Sequence, residues 1–133
     1  MPKRRRGSAR RLPSRHVAFV TLVERALAGI PPPFRDALDE VAVVIDDEPT
    51  ERQRRENELG PGDDLYGLYE GVPRTEYGAD WVSAPNRITL FRLALEEDFP
   101  DPDDLADEVR TTVIHELAHH LGIDDDRLDE LGV

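Results

Sequence analysis

Residues Arg110–Arg127 read RTTVIHELAHHLGIDDDR. His115 and His119 stand four residues apart, Glu116 follows the first directly, and Gly122 and the run Asp124–Asp126 come after. On a helix that turns 100° per residue, the two histidines lie about 40° apart and point the same way. With His115 as zero, Val109, Val113, Leu117 and Leu121 fall between about 120° and 240°, nearly opposite. Glu108, Thr111 and Thr112 share the histidines' side. A helix patterned like this is covered by a sheet on one face and lines a cleft with the other. His120 falls at about 140°, inside the apolar arc, and reads as a packed, hydrogen-bonded core residue. His16 reads as structural too.

Two imidazoles one turn apart can each bring a nitrogen to about 2.0–2.1 Å from one Zn²⁺. Glu116 lies about 100° around from His115, where a carboxylate reaches a metal-bound water and not the metal. Zinc lowers the pKa of such a water to about 7, and the carboxylate takes its proton. A catalytic zinc needs a third protein ligand, which the helix cannot supply beyond Gly122. A glycine turn swings the chain back, and spacing selects Asp125, three residues on, with Asp124 and Asp126 as its neighbouring alternatives. The predicted set is His115, His119 and Asp125 on Zn²⁺, with Glu116 as catalytic carboxylate.

Working outward, the helix is predicted to start at Pro102, with Asp101 as its cap and Asp103 and Asp104 at the positive end of its dipole. It ends at Leu121, before Gly122, and a final turn over Arg127–Leu131 follows. RITLFRLAL, Arg87 to Leu95, reads as a strand, and VAVVI, Val41 to Ile45, as a buried one. LYGLYEG reads as a short strand interrupted by Gly67. FRDALDE gives one or two helical turns, and Glu51 to Leu59 a short exposed helix. A first helix is predicted from Arg15 to Ala28, closed by Gly29 and Pro31–Pro33. The stretch Val72–Asn86 has no apolar period and reads as a long loop.

The 133 residues suit one domain, 15–133, with a disordered basic arm over 1–14. Met1–Arg15 carries seven of the 17 basic residues and no acid, while the remainder holds 10 basic and 29 acidic residues, a balance of −19. Such an arm could touch nucleic acid, but it has no aromatic residue for stacking, and the acidic body would repel a phosphate backbone. There are no cysteines, which excludes disulfides and thiol catalysis. No apolar run approaches a membrane span, and Glu24 and Arg25 break the nearest thing to a signal core, so the expectation is a cytoplasmic protein without a membrane partner.

HELAHHLGIDDDRLDELG, with RITLFR and LYGLYEGVPRTE, resembles the small bacterial zincin-like metallopeptidases. The resemblance spans Arg15 to Gly132 and leaves out the arm. It implies an α+β fold, a short mixed β-sheet packed against the C-terminal zinc helix and an N-terminal helix. It also implies His115, His119 and Asp125 as ligands and Glu116 as the catalytic carboxylate. The chain has no methionine beyond Met1 to build the turn that metzincins carry beneath the metal. It ends eight residues after Asp125, without the lower subdomain of larger zincins. Grip on a substrate therefore falls to the loop Val72–Asn86 and a sheet edge, with Arg87 to Leu95 as the candidate edge strand. Tyr66, Tyr69 and Tyr77 are candidates to stabilise an oxyanion, though each reads first as packing.

The predicted activity is zinc-dependent hydrolysis of a peptide or an unfolded protein segment. The alternatives are a zinc hydrolase on another substrate such as RNA, or an inactive module in which zinc only fixes the fold. A bacterial zinc endoribonuclease family shares the ligand spacing but lacks the glutamate after the first histidine, so Glu116 favours the peptidase.

Overall fold

The computed structural model describes residues 18–71 and 86–131; of Asp125 and Leu131 it describes the backbone only. The predicted basic arm, the predicted start of the first helix with His16, and residues 72–85 with Tyr77 lie outside this range. Residues 18–28 form α1. Next come α2 (Phe34–Ala37), a 3-10 turn (Leu38–Glu40), β1 (Ala42–Asp46), α3 (Glu51–Glu56) and β2 (Gly67–Glu70). β3 (Arg87–Phe91), α4 (Arg92–Asp98), α5 (Pro102–Leu121) and α6 (Asp125–Leu131) complete the described chain.

The sheet has the order β1-β3-β2, with β1 parallel and β2 antiparallel to β3. It is therefore mixed, and the fold is the expected α+β arrangement. β3 lies in the middle. Ile88 and Leu90 point into the core, and Thr89 is buried on the opposite face. β1 is a terminal strand and only half-buried, although its continuous apolar run suggested full burial. Gly67 belongs to β2 and does not interrupt it.

β3 stops at Phe91, four residues short of the predicted end, because Arg92–Asp98 is helical. Arg92, Leu93, Ala94, Leu95 and Glu96 are all good helix formers. Arg92 also pairs with Glu96 at 2.7 Å, an i,i+4 contact available only on a helix. Leu93 is exposed while Leu95 is buried, so the apparent strand alternation does not correspond to one face.

α5 has the predicted ends. The Asp101 carboxylate accepts from the N–H groups of Asp103 and Asp104, and Pro102 occupies the first turn. Gly122, at φ 75°, closes the helix in the left-handed conformation, and Ile123 N–H donates back to the Ala118 carbonyl at 2.8 Å. Val109, Val113, Leu117 and Ala118 are fully buried and join Ile88 and Leu90 of the sheet and Phe19, Val23 and Ala26 of α1 in one core. α6 begins at Asp125, two residues before the turn expected at Arg127.

Candidate active site

The last two turns of α5 carry the predicted site residues His115, Glu116 and His119. His115 is half-buried and lines a cleft of about 300 Å³ with Tyr66, Gly67, Glu108, Thr112 and Glu116. The side chain of His119 is 52% exposed, and it faces a second hollow with Gly122, Ile123 and Asp124. Both histidines thus stand clear of the core, as the helical pattern predicted. Thr112 shares their side but is buried, because β2 lies directly over it.

Gly67 explains how β2 lies so close. A Cβ at that position would stand 2.6 Å from the Thr112 methyl group, so only glycine lets the strand settle on α5 here. The sheet register then matters. Phe91 N–H donates to the Tyr66 carbonyl, which sets the alternation of the antiparallel ladder. Leu68 and Glu70 turn their backbone groups toward β3, and Gly67 and Tyr69 turn theirs outward. The outward N–H of Tyr69 donates to Oε1 of Glu116 at 2.8 Å. The same oxygen stands 3.6 Å from Nδ1 of His119, and the Glu116 side chain is only 16% exposed. The proposed base is thus held between the strand backbone and one predicted ligand.

This geometry corrects the choice of edge strand. β3, the core of the predicted Arg87–Leu95 segment, is paired on both sides and has no open edge. Among the described residues the terminal strand beside the cleft is β2. Sequence reasoning missed the Tyr69 backbone contact entirely; its one available signal was a glycine in the middle of LYGLYE, which in a strand marks close approach of another segment.

Asp125 opens α6, and its side chain lies outside what is described. Of its neighbours, Asp124 is already engaged: its Oδ1 accepts from Arg127 N–H at 2.9 Å, capping α6. Among the described residues no three histidine, aspartate or glutamate side chains converge on a common metal position, and the Asp125 carboxylate is not one of these side chains.

His120 is fully buried, as expected for a core residue. Its Nε2 lies 2.6 Å from Oε1 of Glu40 and its Nδ1 3.2 Å from the Tyr69 hydroxyl. That hydroxyl donates to Oδ1 of Asn86 at 2.9 Å. Tyr66 donates its hydroxyl to Asp98 at 2.5 Å. This hydrogen bond first, then desolvation and the nearby charges of Asp98, Glu108 and Asp64, push the Tyr66 phenol up to about 12. Both described tyrosine hydroxyls are therefore committed to protein partners and are not free to face a substrate. At the end of β2, burial pushes the Glu70 carboxyl up. Hydrogen bonds from Gln53 and Arg87 and the charges of Arg87 and Arg52 outweigh it, and the net result lies below the usual carboxylate value.

A long helix carrying His-Glu-x-x-His on its cleft face, under a short mixed sheet, has the architecture of a small metallohydrolase. The model of the zincin-like metallopeptidase family matches residues 38–133, and the chain belongs to that family. A conserved hypothetical protein from Thermo thermophilus has a similar structure, with a TM-score of 0.51 and 28% sequence identity. The match covers 88% of this chain and 96% of that one. No curated protein matches the chain. No helix among the described residues is long and apolar enough to cross a membrane.

Proposed function

We propose that this chain is a zinc-dependent peptidase in which His115, His119 and Asp125 hold the metal and Glu116 is the general base. The observation that carries this reading is the placement of Glu116, one oxygen held by the Tyr69 N–H and 3.6 Å from His119. The donor set suits zinc: two imidazoles one helical turn apart, clear of the core, and a carboxylate just past the glycine that ends the helix. The capping role of Asp124 favours Asp125 over that neighbour. When bound, zinc polarises a carbonyl and acidifies water.

The chain's own residues supply the rest. Glu116 accepts a proton from the attacking water and returns it to the leaving nitrogen. An extended peptide would lie along β2, the terminal strand among the described residues, beside the cleft that His115 and Glu116 line. The substrate class is a peptide or an unfolded protein segment, since a strand edge recognises main chain and not a folded surface.

Replacing Glu116 with Gln tests the assignment. Zinc content should stay at that of the wild type while peptide hydrolysis falls by about 10²–10⁴, the usual contribution of a positioned base. Unchanged hydrolysis would show that the proton is taken elsewhere.

A further inference from the structure

We infer that Tyr69 is a positioning residue for Glu116: its backbone N–H holds the carboxylate, and its side chain, gripped by His120 and Asn86, holds that N–H in place. The inference rests on Glu116 being the base. Glu116 and His120 are four residues apart on α5 and so share one side of the helix. Each meets the same strand residue. Glu116 takes the Tyr69 N–H at 2.8 Å, while His120 lies 3.2 Å from the Tyr69 hydroxyl with the two rings 5.8 Å apart. The helix therefore clamps Tyr69 at both its backbone and its tip.

The clamp is anchored outside α5 as well. Asn86 accepts from the tyrosine hydroxyl, and its own carbonyl receives Ala42 N–H, which ties it to the start of the β1–β3 pairing. Glu40, just before β1, holds the far nitrogen of His120. The tyrosine hydroxyl that donates to Asn86 thus also lies within hydrogen-bond distance of the His120 ring. A four-residue terminal strand otherwise frays and slips readily. Holding Tyr69 from α5 and from Asn86, with Glu40 behind His120, sets where its N–H stands, and with it where a flexible glutamate side chain can point.

Amide hydrogen exchange on the full 133-residue chain, as purified and after zinc addition, reads this directly. The Tyr69 amide donates to the Glu116 carboxylate at 2.8 Å, so its protection should depend on Glu116. Glu116→Ala should speed its exchange at least tenfold, and Glu116→Gln, which keeps an acceptor oxygen, should speed it much less. The Leu68 and Glu70 amides, facing β3, should not change in either variant. Tyr69→Phe keeps the N–H and loses the anchor; its residue-69 amide should exchange severalfold faster. Its kcat for peptide cleavage should drop severalfold with KM and zinc content unchanged. Equal Tyr69 exchange in wild type and Glu116→Ala would overturn the inference, as would wild-type exchange and kcat in Tyr69→Phe. If the zinc-loaded wild type cleaves no peptide, the peptidase reading fails, and the exchange comparison alone decides whether Tyr69 holds Glu116.

Discussion

His119 and His120 are consecutive residues with opposite fates. The first is 52% exposed beside the cleft, and the second is fully buried and bonded on both ring nitrogens. They mark two faces of α5 that run the length of the helix. One face carries Val109, Val113, Leu117 and His120 against the sheet and α1, and its business is stability. The other carries His115 and His119 and adds little to the core, and Glu116 stands on the border between the two, one turn before His120. The difference teaches that one helix can hold reactive groups steady because its far side is locked. Mutations on the two faces should accordingly separate in what they damage.

The largest separation is expected between Glu116→Gln and Leu117→Ala, adjacent in sequence. The first should cut turnover by about 10²–10⁴, some 3–5 kcal/mol of barrier, and leave thermal stability within about 0.5 kcal/mol of wild type. The second should cost about 2–5 kcal/mol of unfolding free energy in denaturant titration, from lost burial and the cavity left behind. If both variants lost stability alike, the two faces would not be functionally distinct.

Gly67→Ala sharpens the contrast, because Gly67 joins the faces through β2. The added methyl would sit 2.6 Å from the Thr112 methyl. Relieving that overlap should cost about 1–3 kcal/mol of stability. It should also lower kcat, since β2 must lift away from α5 and carry the Tyr69 N–H with it. A variant as stable and as active as wild type would mean that the close approach is unnecessary.

The smallest effect is at Glu70, on the last residue of β2. Its carboxyl is held below the ordinary 4.5, so its contribution is complete above that value and fades as pH falls through the lower folded value. Glu70→Gln should therefore be about 1 kcal/mol less stable than wild type at pH 6, and the gap should narrow as pH falls below 4.5. A gap that stayed constant down to pH 3 would remove the ion pairs with Arg87 and Arg52 from the account.

The two faces of α5 were legible in the sequence because they depend on local rules. The spacing of His115, His119 and the valines sets the angles, and Asp101, Pro102 and Gly122 set the ends. The placement of His120 in the core followed from the same wheel. The sheet was legible only as a set of apolar segments. Nothing local to RITLF says that it lies in the middle, and its edge role was misread for that reason. The helix at Arg92–Asp98 hid behind the alternation of Phe91, Leu93 and Leu95 until burial separated Leu93 from Leu95. The hold of Tyr69 on Glu116 spans 47 residues and depends on register and backbone direction, which no pattern of side chains encodes.

The central claim is that the exposed face of α5, with the residue past its glycine turn, builds a zinc site. Zinc stoichiometry by metal analysis, on wild type, His119→Ala, Asp125→Ala and Glu116→Gln prepared alike, tests it most directly. The account predicts one zinc per chain in wild type and Glu116→Gln, and a loss of most of the metal in His119→Ala and Asp125→Ala. Wild-type zinc in both of those alanine variants, or none in the wild type itself, would contradict it.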